Sequence, residues 1–493
     1  MQAFLQGLQL TTTFPALFAI FIGSIGGIII GALPGLSSTL GVALLVPFTF
    51  GLEPATAMGL LAGMYCSSIY GGSITAILIN TPGTGAAAAT VLDGYPMTKN
   101  GQAGKALYTA IISSFIGGMF GTFALLFIAP LLSRVALKFG PPETFMLSVF
   151  GLTIIASVSS KNLTKGIMAG LFGLLLSTVG FDSVTAYPRY AFGNIHLYEG
   201  IALVVALVGF FSIPEALTLV KSKQKKMNID IDLKKNSDDN RLTGKEILRL
   251  IPTFLRGSVI GTLIGIIPGV GTPVACFLAY NEEKRFSKHP HLFGTGIIEG
   301  VAAPETANNA VEGGSFVPLL TLGIPGSSQT AVYLGALLIL GIKPGPELFS
   351  TQAPIAYSII LGLFIANIMM LFLGLGGVRY FVKIIKMPNA VMIPVILTFS
   401  IIGAYAINAS IFDVGLMFFL GLIGYVMRLN SIPIAPTVLA LILGPIGEDA
   451  FQQTVSITHG QVWMIFSRPI CIVLLVITVL SVFFSLRKNR IVE

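Results

Sequence analysis

Apolar residues fill long stretches of this chain, and polar ones gather at a few points. The first apolar block covers about residues 14–33 and breaks at GALPG, residues 31–35. Ser37, Ser38 and Thr39 follow, and apolar sequence resumes to Phe50. Residues 52–79 are apolar apart from an interruption at Tyr70, Gly71, Gly72 and Ser73, and they end in Asn80, Thr81, Pro82, Gly83 and Thr84. Small residues 85–90 lead to Asp93-Gly94-Tyr95-Pro96, which reads as a turn. Further apolar blocks lie near 106–133, 144–158, 163–180 and 197–219, and after a charged stretch near 257–267, 353–376, 390–409, 411–427, 431–447 and 464–485. Many approach or exceed the ~20 residues a helix needs to cross hydrocarbon, which predicts an all-α polytopic membrane protein with roughly 10–14 membrane segments. A membrane β-barrel would show short segments of alternating polarity instead.

The pattern repeats. GALPGLSST at 31–39 resembles GIIPGVGTP at 265–273, and GGSITAILINTPGT at 71–84 resembles GGSFVPLLTLGIPGS at 313–327. The Pro-Gly pairs at Pro34 and Pro82 are 48 residues apart, and those at Pro268 and Pro325 are 57 apart. Matching order and chemistry predict an internal duplication. It gives a first repeat at 1–220, a basic loop at 221–256, a second repeat at 257–460, and a final span with a basic tail at 461–493.

Proline removes a donor and clashes with the preceding turn, while glycine admits unusual dihedrals, so each Pro-Gly pair ends or kinks a helix. Non-helical backbone at membrane depth survives only where protein or a water-filled cavity covers it. Four such breaks predict broken helices or re-entrant hairpins that meet near the midplane. Each resuming half-helix would present free N–H groups and a positive dipole end, an anion site. The candidate substrate ligands are Pro34, Gly35, Ser37, Ser38 and Thr39; Thr81, Pro82, Gly83 and Thr84; Pro268, Gly269, Gly271 and Thr272; and Pro325, Gly326 and Ser327, with Ser328 beside them.

Residues 299–327 concentrate the remaining chemistry. If the part after Pro304 is helical, Glu305, Asn308, Asn309 and Glu312 stand at i, i+3, i+4 and i+7 and share one face. A loop between two spans is the other reading. The carboxylates would repel an anion but suit a coupling cation. Na⁺, which takes hard oxygen ligands, is the one metal ion this chemistry suggests, and H⁺ is the alternative. Glu299, nearer the polar segment before it, is expected at the interface.

Composition agrees with a membrane protein. Of 493 residues 54% are hydrophobic and 10% charged, and the mean hydropathy is +0.87; soluble domains carry about 25% charged residues. The net charge is +8, and ten of the 29 Lys and Arg lie at 221–256. That cluster reads as a cytoplasmic loop, as does the tail with Arg487, Lys488 and Arg490, and not as a nucleic-acid surface. An outward N-terminus and an inward middle would make the halves inverted repeats; parallel repeats are the alternative, and the charge count leaves both open. Cys66, Cys276 and Cys471 are scattered in apolar sequence and read as small core residues. No basic n-region precedes residues 14–33, which read as a retained first span. His289 and His291 fall in and just after a charged segment, 281–290, read as loop; Asp93 and Asp182 neighbour turn residues; Asp413 lies in an apolar block with no visible partner. There is no P-loop pattern and no nucleophile-base constellation, which argues against an ATP-driven pump and against an enzyme.

Residues 31–107 and 265–346 resemble the two signature regions of the large membrane subunit of tripartite tricarboxylate transporters (TctA-like). The matches are GALPGLSSTLGVALLVPFTFGLEPATA, YGGSITAILINTPGTGAAAATVLDGYP, the run from Phe293 to Pro346 with GVAAPETANNA and LGIPGSS, and YPRYAFG at 187–193. The resemblance implies secondary active uptake of carboxylates, driven by a cation gradient across the cytoplasmic membrane and using no cofactor beyond the coupling ion. It also implies two partners, a small membrane subunit and an extracytoplasmic solute-binding protein. A passive channel for small organic anions is the rival function.

Overall fold

A computed structural model describes residues 2–158, 163–182, 185–221, 242–384 and 388–492. The first half contains α1 (Gln2–Thr11), α2 (Phe14–Gly31), α3 (Ser38–Leu45), α4 (Pro54–Ile79), α5 (Val91–Lys99), α6 (Ala103–Ala136), α7 (Pro141–Val158) and α8 (Leu163–Ser177). A short antiparallel hairpin, β1 (Gly180–Phe181) and β2 (Pro188–Arg189), pairs Gly180 with Arg189 and precedes α9 (Leu203–Lys221). The second half contains α10 (Gly244–Ile266), α11 (Gly271–Phe286), α12 (Ile298–Leu322), α13 (Ser328–Ile339), α14 (Leu348–Thr351) and α15 (Ala353–Ile384). It closes with α16 (Asn389–Asn408), α17 (Ile411–Leu429), α18 (Ile434–Ile457) and α19 (Pro469–Val492). Among the described residues nine helices are long and apolar enough to cross a membrane: α2, α4, α6, α9, α10, α15, α16, α17 and α18. α12 is 25 residues long and buried almost throughout, yet its polar face keeps it out of that group.

The two halves pack their glycines alike. A Cβ on Gly23, Gly27 or Gly31 of α2 would strike the carbonyl oxygens of Leu60, Met64 and Ser68 in α4. On Gly257, Gly261 or Gly265 of α10 it would strike those of Ala303, Ala307 and Val311 in α12. Both stripes repeat every fourth residue, both end three residues before a Pro-Gly pair, and both pairs of helices run parallel. Small residues at this spacing let two backbones touch. Gly117 and Gly121 of α6 do the same against Thr306 and Ala310, so α12 is gripped on two sides. α4 and α12 cross in opposite senses: the Tyr65 hydroxyl lies 3.3 Å from that of Ser315, while Ser73 donates to Glu305 at 2.6 Å.

Several expectations are revised. Tyr70–Ser73 does not interrupt a helix; α4 runs through it, and Gly71 and Gly72 are points of close backbone approach. Of the two readings of residues 299–312 the helical one holds and the loop alternative falls: α12 runs through Pro304 and its polar face is buried. The basic segment at 221–256 is not all loop. α10 begins at Gly244 with Thr243 and Glu246 in a reciprocal capping box, and residues 222–241 lie outside the described residues. Residues 281–286 continue α11, leaving His289 and His291 exposed beyond it. Asp182 accepts from the Thr185 amide at 2.7 Å and pairs with Arg189 at 3.2 Å. Asp413 is not partnerless; it accepts from Asn408 at 2.8 Å. The three cysteines are free and buried, as read from the sequence.

Asp93 departs furthest from its reading as a turn neighbour. It is fully buried and accepts from the Tyr280 hydroxyl at 2.8 Å and from the amides of Gly294, Gly296 and Ile297 at 2.9, 2.8 and 3.1 Å. Those amides lie in the turn that leads into α12, so a carboxylate from the first half holds the entry to the central helix of the second and sits near its positive dipole end.

Two stability predictions follow from these contacts. Gly261→Ala should cost about 2–3 kcal/mol by overpacking, whereas Gly170→Ala, with open space around its Cβ, should stay within about 0.5 kcal/mol. Asp93→Ala should cost about 1–3 kcal/mol, because it removes the shared acceptor of the buried Tyr280 hydroxyl and of three backbone amides. Thermal unfolding of the purified protein in detergent checks both.

Candidate substrate and cation site

All four helix breaks reach one cavity of about 600 Å³. Ser37, Ser38 and Thr39 come from the first, Thr84 to Ala86 from the second, Gly269 to Val274 from the third, and Pro325 with Ser327 to Gln329 from the fourth. Phe210, Phe211, Pro214 and Glu215 of α9 and Arg428 of α17 complete much of the remaining wall.

Local chemistry explains why helix starts point at this space. The Ser37 hydroxyl accepts from the Leu40 amide at 3.1 Å and caps α3. Ser327 and Thr330 form a reciprocal capping box at the start of α13, at 3.2 and 2.8 Å. Gly269 and Gly271 take φ of +79° and +74°, which only glycine adopts readily, and turn the chain into α11. The Gly269 amide donates to the Gly326 carbonyl at 3.1 Å, tying the third break to the fourth; Gly83 donates to Gly72 at 3.1 Å, folding the second break back along α4. Tyr65 lies 3.3 Å from Ser327 as well as Ser315, so α4 also braces the fourth break.

The structure sorts the sequence candidates into two groups. Ser37, Ser38, Thr39, Thr84, Gly269, Gly271, Thr272, Pro325, Ser327 and Ser328 line the cavity. Pro34, Gly35, Thr81, Pro82, Gly83, Pro268 and Gly326 do not; they shape the turns behind it. Gly83 and Gly326 lie against backbone, where a Cβ would strike the carbonyls of Gly31 and Gly265, and the Thr81 hydroxyl bonds its own helix end at Ile79. Ser38 and Thr84 are buried, and their hydroxyls have no protein partner among the described residues. Buried polar atoms are normally paired, so an unpaired hydroxyl at a cavity wall leaves a bond for a ligand to make.

Arg428 and Glu215 are the functional candidates that the sequence did not reveal. They form an ion pair at the cavity wall. Each sits in or at the end of an apolar block, and no spacing connects positions 213 residues apart.

The polar face of α12 lies just behind this wall. Glu305 is fully buried. Its Oε1 accepts from Ser73 at 2.6 Å and from Thr90, and its Oε2 from Ser114 at 3.1 Å and Asn308 at 3.3 Å. None of these partners is basic, and the three hydroxyls come from α4, α6 and the residue preceding α5. Asn308 also donates to Ala86 at 3.4 Å, while its Oδ1 has no partner among the described residues. Glu312 differs. Asn309 donates to its Oε1 at 2.7 Å, and its Oε2 has no partner among the described residues. Glu299 is 2.5 Å from Arg249 near the start of α12, separate from the other two. A buried carboxylate ringed by oxygen-bearing side chains is a donor set that fits a hard monovalent cation such as Na⁺.

Comparison with known proteins bears on the family of the chain. The model of the tripartite tricarboxylate transporter TctA family matches residues 17–439. An uncharacterized 52.8 kDa protein in the TAR-I ttuC' 3' region of Agrobacterium vitis is 38% identical over 474 residues, covering 95% of this chain and 94% of that protein. An uncharacterized protein in the TAR-II ttuC' 3' region of the same organism is 38% identical over 234 residues, 47% of this chain and 97% of that protein. No solved structure matches the chain. With the family model spanning most of its length and a relative aligned end to end, this chain belongs to the tripartite tricarboxylate transporter TctA family.

Proposed function

We propose that this chain is the large permease subunit of a secondary transporter in the cytoplasmic membrane. It imports tricarboxylate or related carboxylate anions by symport with Na⁺ or H⁺. It works with a small membrane subunit and with an extracytoplasmic solute-binding protein that delivers the anion. The observation that carries the reading is the meeting of four helix breaks at one cavity with unpaired buried hydroxyls, a step away from a buried carboxylate that lacks a basic partner.

Orientation follows from charge and span direction. With the basic segment after Lys221 in the cytoplasm, α9 starts outside, and the β1–β2 hairpin with it. The parallel pairs α2–α4 and α10–α12, together with the antiparallel crossing of α4 and α12, support an inverted arrangement of the two halves, an architecture suited to alternating access around a central site.

The anion sits in the cavity against the N-terminal ends of α3, α11 and α13, whose dipoles and hydroxyls replace its hydration. The coupling ion sits at Glu305, with Asn308 beside it and Asn309 and Glu312 one turn on. Na⁺ supplies the positive charge that the Glu305 carboxylate lacks. Residues 84–90 connect the two places: Thr84 and Ala86 face the cavity, Ala86 accepts from Asn308, and Thr90 bonds Glu305. A cation that draws in Glu305, Thr90 and Asn308 thereby sets the position of the cavity wall.

Glu305→Gln is expected to abolish gradient-driven uptake by the reconstituted complex while the protein still folds; normal uptake by that variant would end the coupling role. Uphill accumulation in proteoliposomes under a cation gradient separates a symporter from a passive pore, which equilibrates only. Thr84→Val and Ser38→Ala should each lower carboxylate affinity several-fold while changing stability by less than about 1 kcal/mol, because neither hydroxyl bonds to the protein. Titration calorimetry and thermal unfolding read the two effects separately.

A further inference from the structure

We infer that Arg428 is the residue that selects anions with more than one carboxylate: the edge of its guanidinium left free by Glu215 takes a second carboxylate of the substrate. The inference rests on the reading of the cavity as an anion site. Arg428 is the one Lys or Arg among the residues lining that cavity, and it stands on the α9–α17 wall rather than at a helix break. A single nitrogen, Nη1, bonds Oε2 of Glu215. Oε1 of Glu215 is buried and has no partner among the described residues, so the pair is one-sided. Arginine–carboxylate pairs are frequently bidentate, and one that is not keeps guanidinium donors for another acceptor. Here Glu215 is almost covered, with its side chain 7% exposed, while that of Arg428 is 43% exposed. The carboxylate therefore acts as a fixed anchor that orients the cation, and the guanidinium keeps donors for a planar anion.

One carboxylate is met by the helix ends at Ser37 and Ser327, and a second by Arg428. A monocarboxylate uses only the first set. Arg428 thus contributes to discrimination more than to binding in general, and Glu215 is a positioning residue.

The test measures binding of butanoate, succinate and citrate to the full chain in lipid nanodiscs, with the coupling cation present. The unaltered protein should favour succinate and citrate over butanoate. Arg428→Gln should weaken both polycarboxylates about tenfold or more and leave butanoate within about threefold. Arg428→Lys keeps the charge but loses the fork, and should recover part of the preference. Should Arg428→Gln fail to fold, the Arg428→Lys ratio decides. Equal weakening of all three anions, or an unchanged preference in both variants, overturns the role of Arg428 while leaving the anion site standing. If the unaltered protein binds none of the three, the anion-site reading falls and this inference with it.

Discussion

Peptide groups inside a bilayer have no water to bond, and the whole architecture answers to that constraint. A helix satisfies its own backbone, but this chain breaks helices four times within apolar sequence. Each break must then be enclosed by protein. The glycine stripes on α2 and α10 bring helices close enough to do this, and Gly83 and Gly326 are buried against the carbonyls of Gly31 and Gly265. What enclosure leaves over is the cavity, a place where helix starts face space instead of lipid, with buried unpaired hydroxyls in its wall.

The two halves share this scaffold but not its chemistry. Gly71 meets α2 as Gly314 meets α10, each against a carbonyl and a glycine Cα. Carrying that correspondence back along the helices sets Ala62 opposite Glu305 and Ile69 opposite Glu312. The first half is apolar where the second carries its carboxylates. The matched breaks meet at one cavity, and the acidic cluster lies on the side of the second half. Under the symport reading, the ion and the anion need not compete for the same groups.

Much of this was legible in the sequence, because its signals are local. Pro-Gly pairs inside apolar runs mark breaks wherever they occur, and the i, i+3, i+4, i+7 spacing of Glu305, Asn308, Asn309 and Glu312 marks a shared face once the segment is helical. What could not be read depends on tertiary contact. Gly71-Gly72 looks like an interruption until α2 is seen to lie against it. Asp93 looks like part of a turn until Tyr280 and the amides before α12 gather round it from the other half. Arg428 and Glu215 are joined by the packing of α17 on α9, for which no sequence interval gives a clue. Pro34, Pro82 and Pro268 were legible as breaks but not as lying behind the cavity wall, since a turn does not reveal which of its atoms face inward.

Under the symport reading, the burial of Glu305 carries an energetic consequence that links ion to substrate. Moving a carboxylate from water into a protein interior costs several kcal/mol even after relaxation, and the hydroxyls of Ser73, Thr90 and Ser114 offset part of that without supplying opposite charge. Under that reading a cation relieves the remainder, and the packing of α4, α6 and residues 84–90 around Glu305 is then tighter in free-energy terms when the ion is present. Because that same segment forms a wall of the cavity, whatever the cation gains by closing the cluster it also gives to the shape the anion meets, and by linkage the anion strengthens the hold on the cation. Coupling of this kind requires no charge transfer and no contact between the two solutes. It requires only one short segment with Thr90 on the ion side and Thr84 on the substrate side.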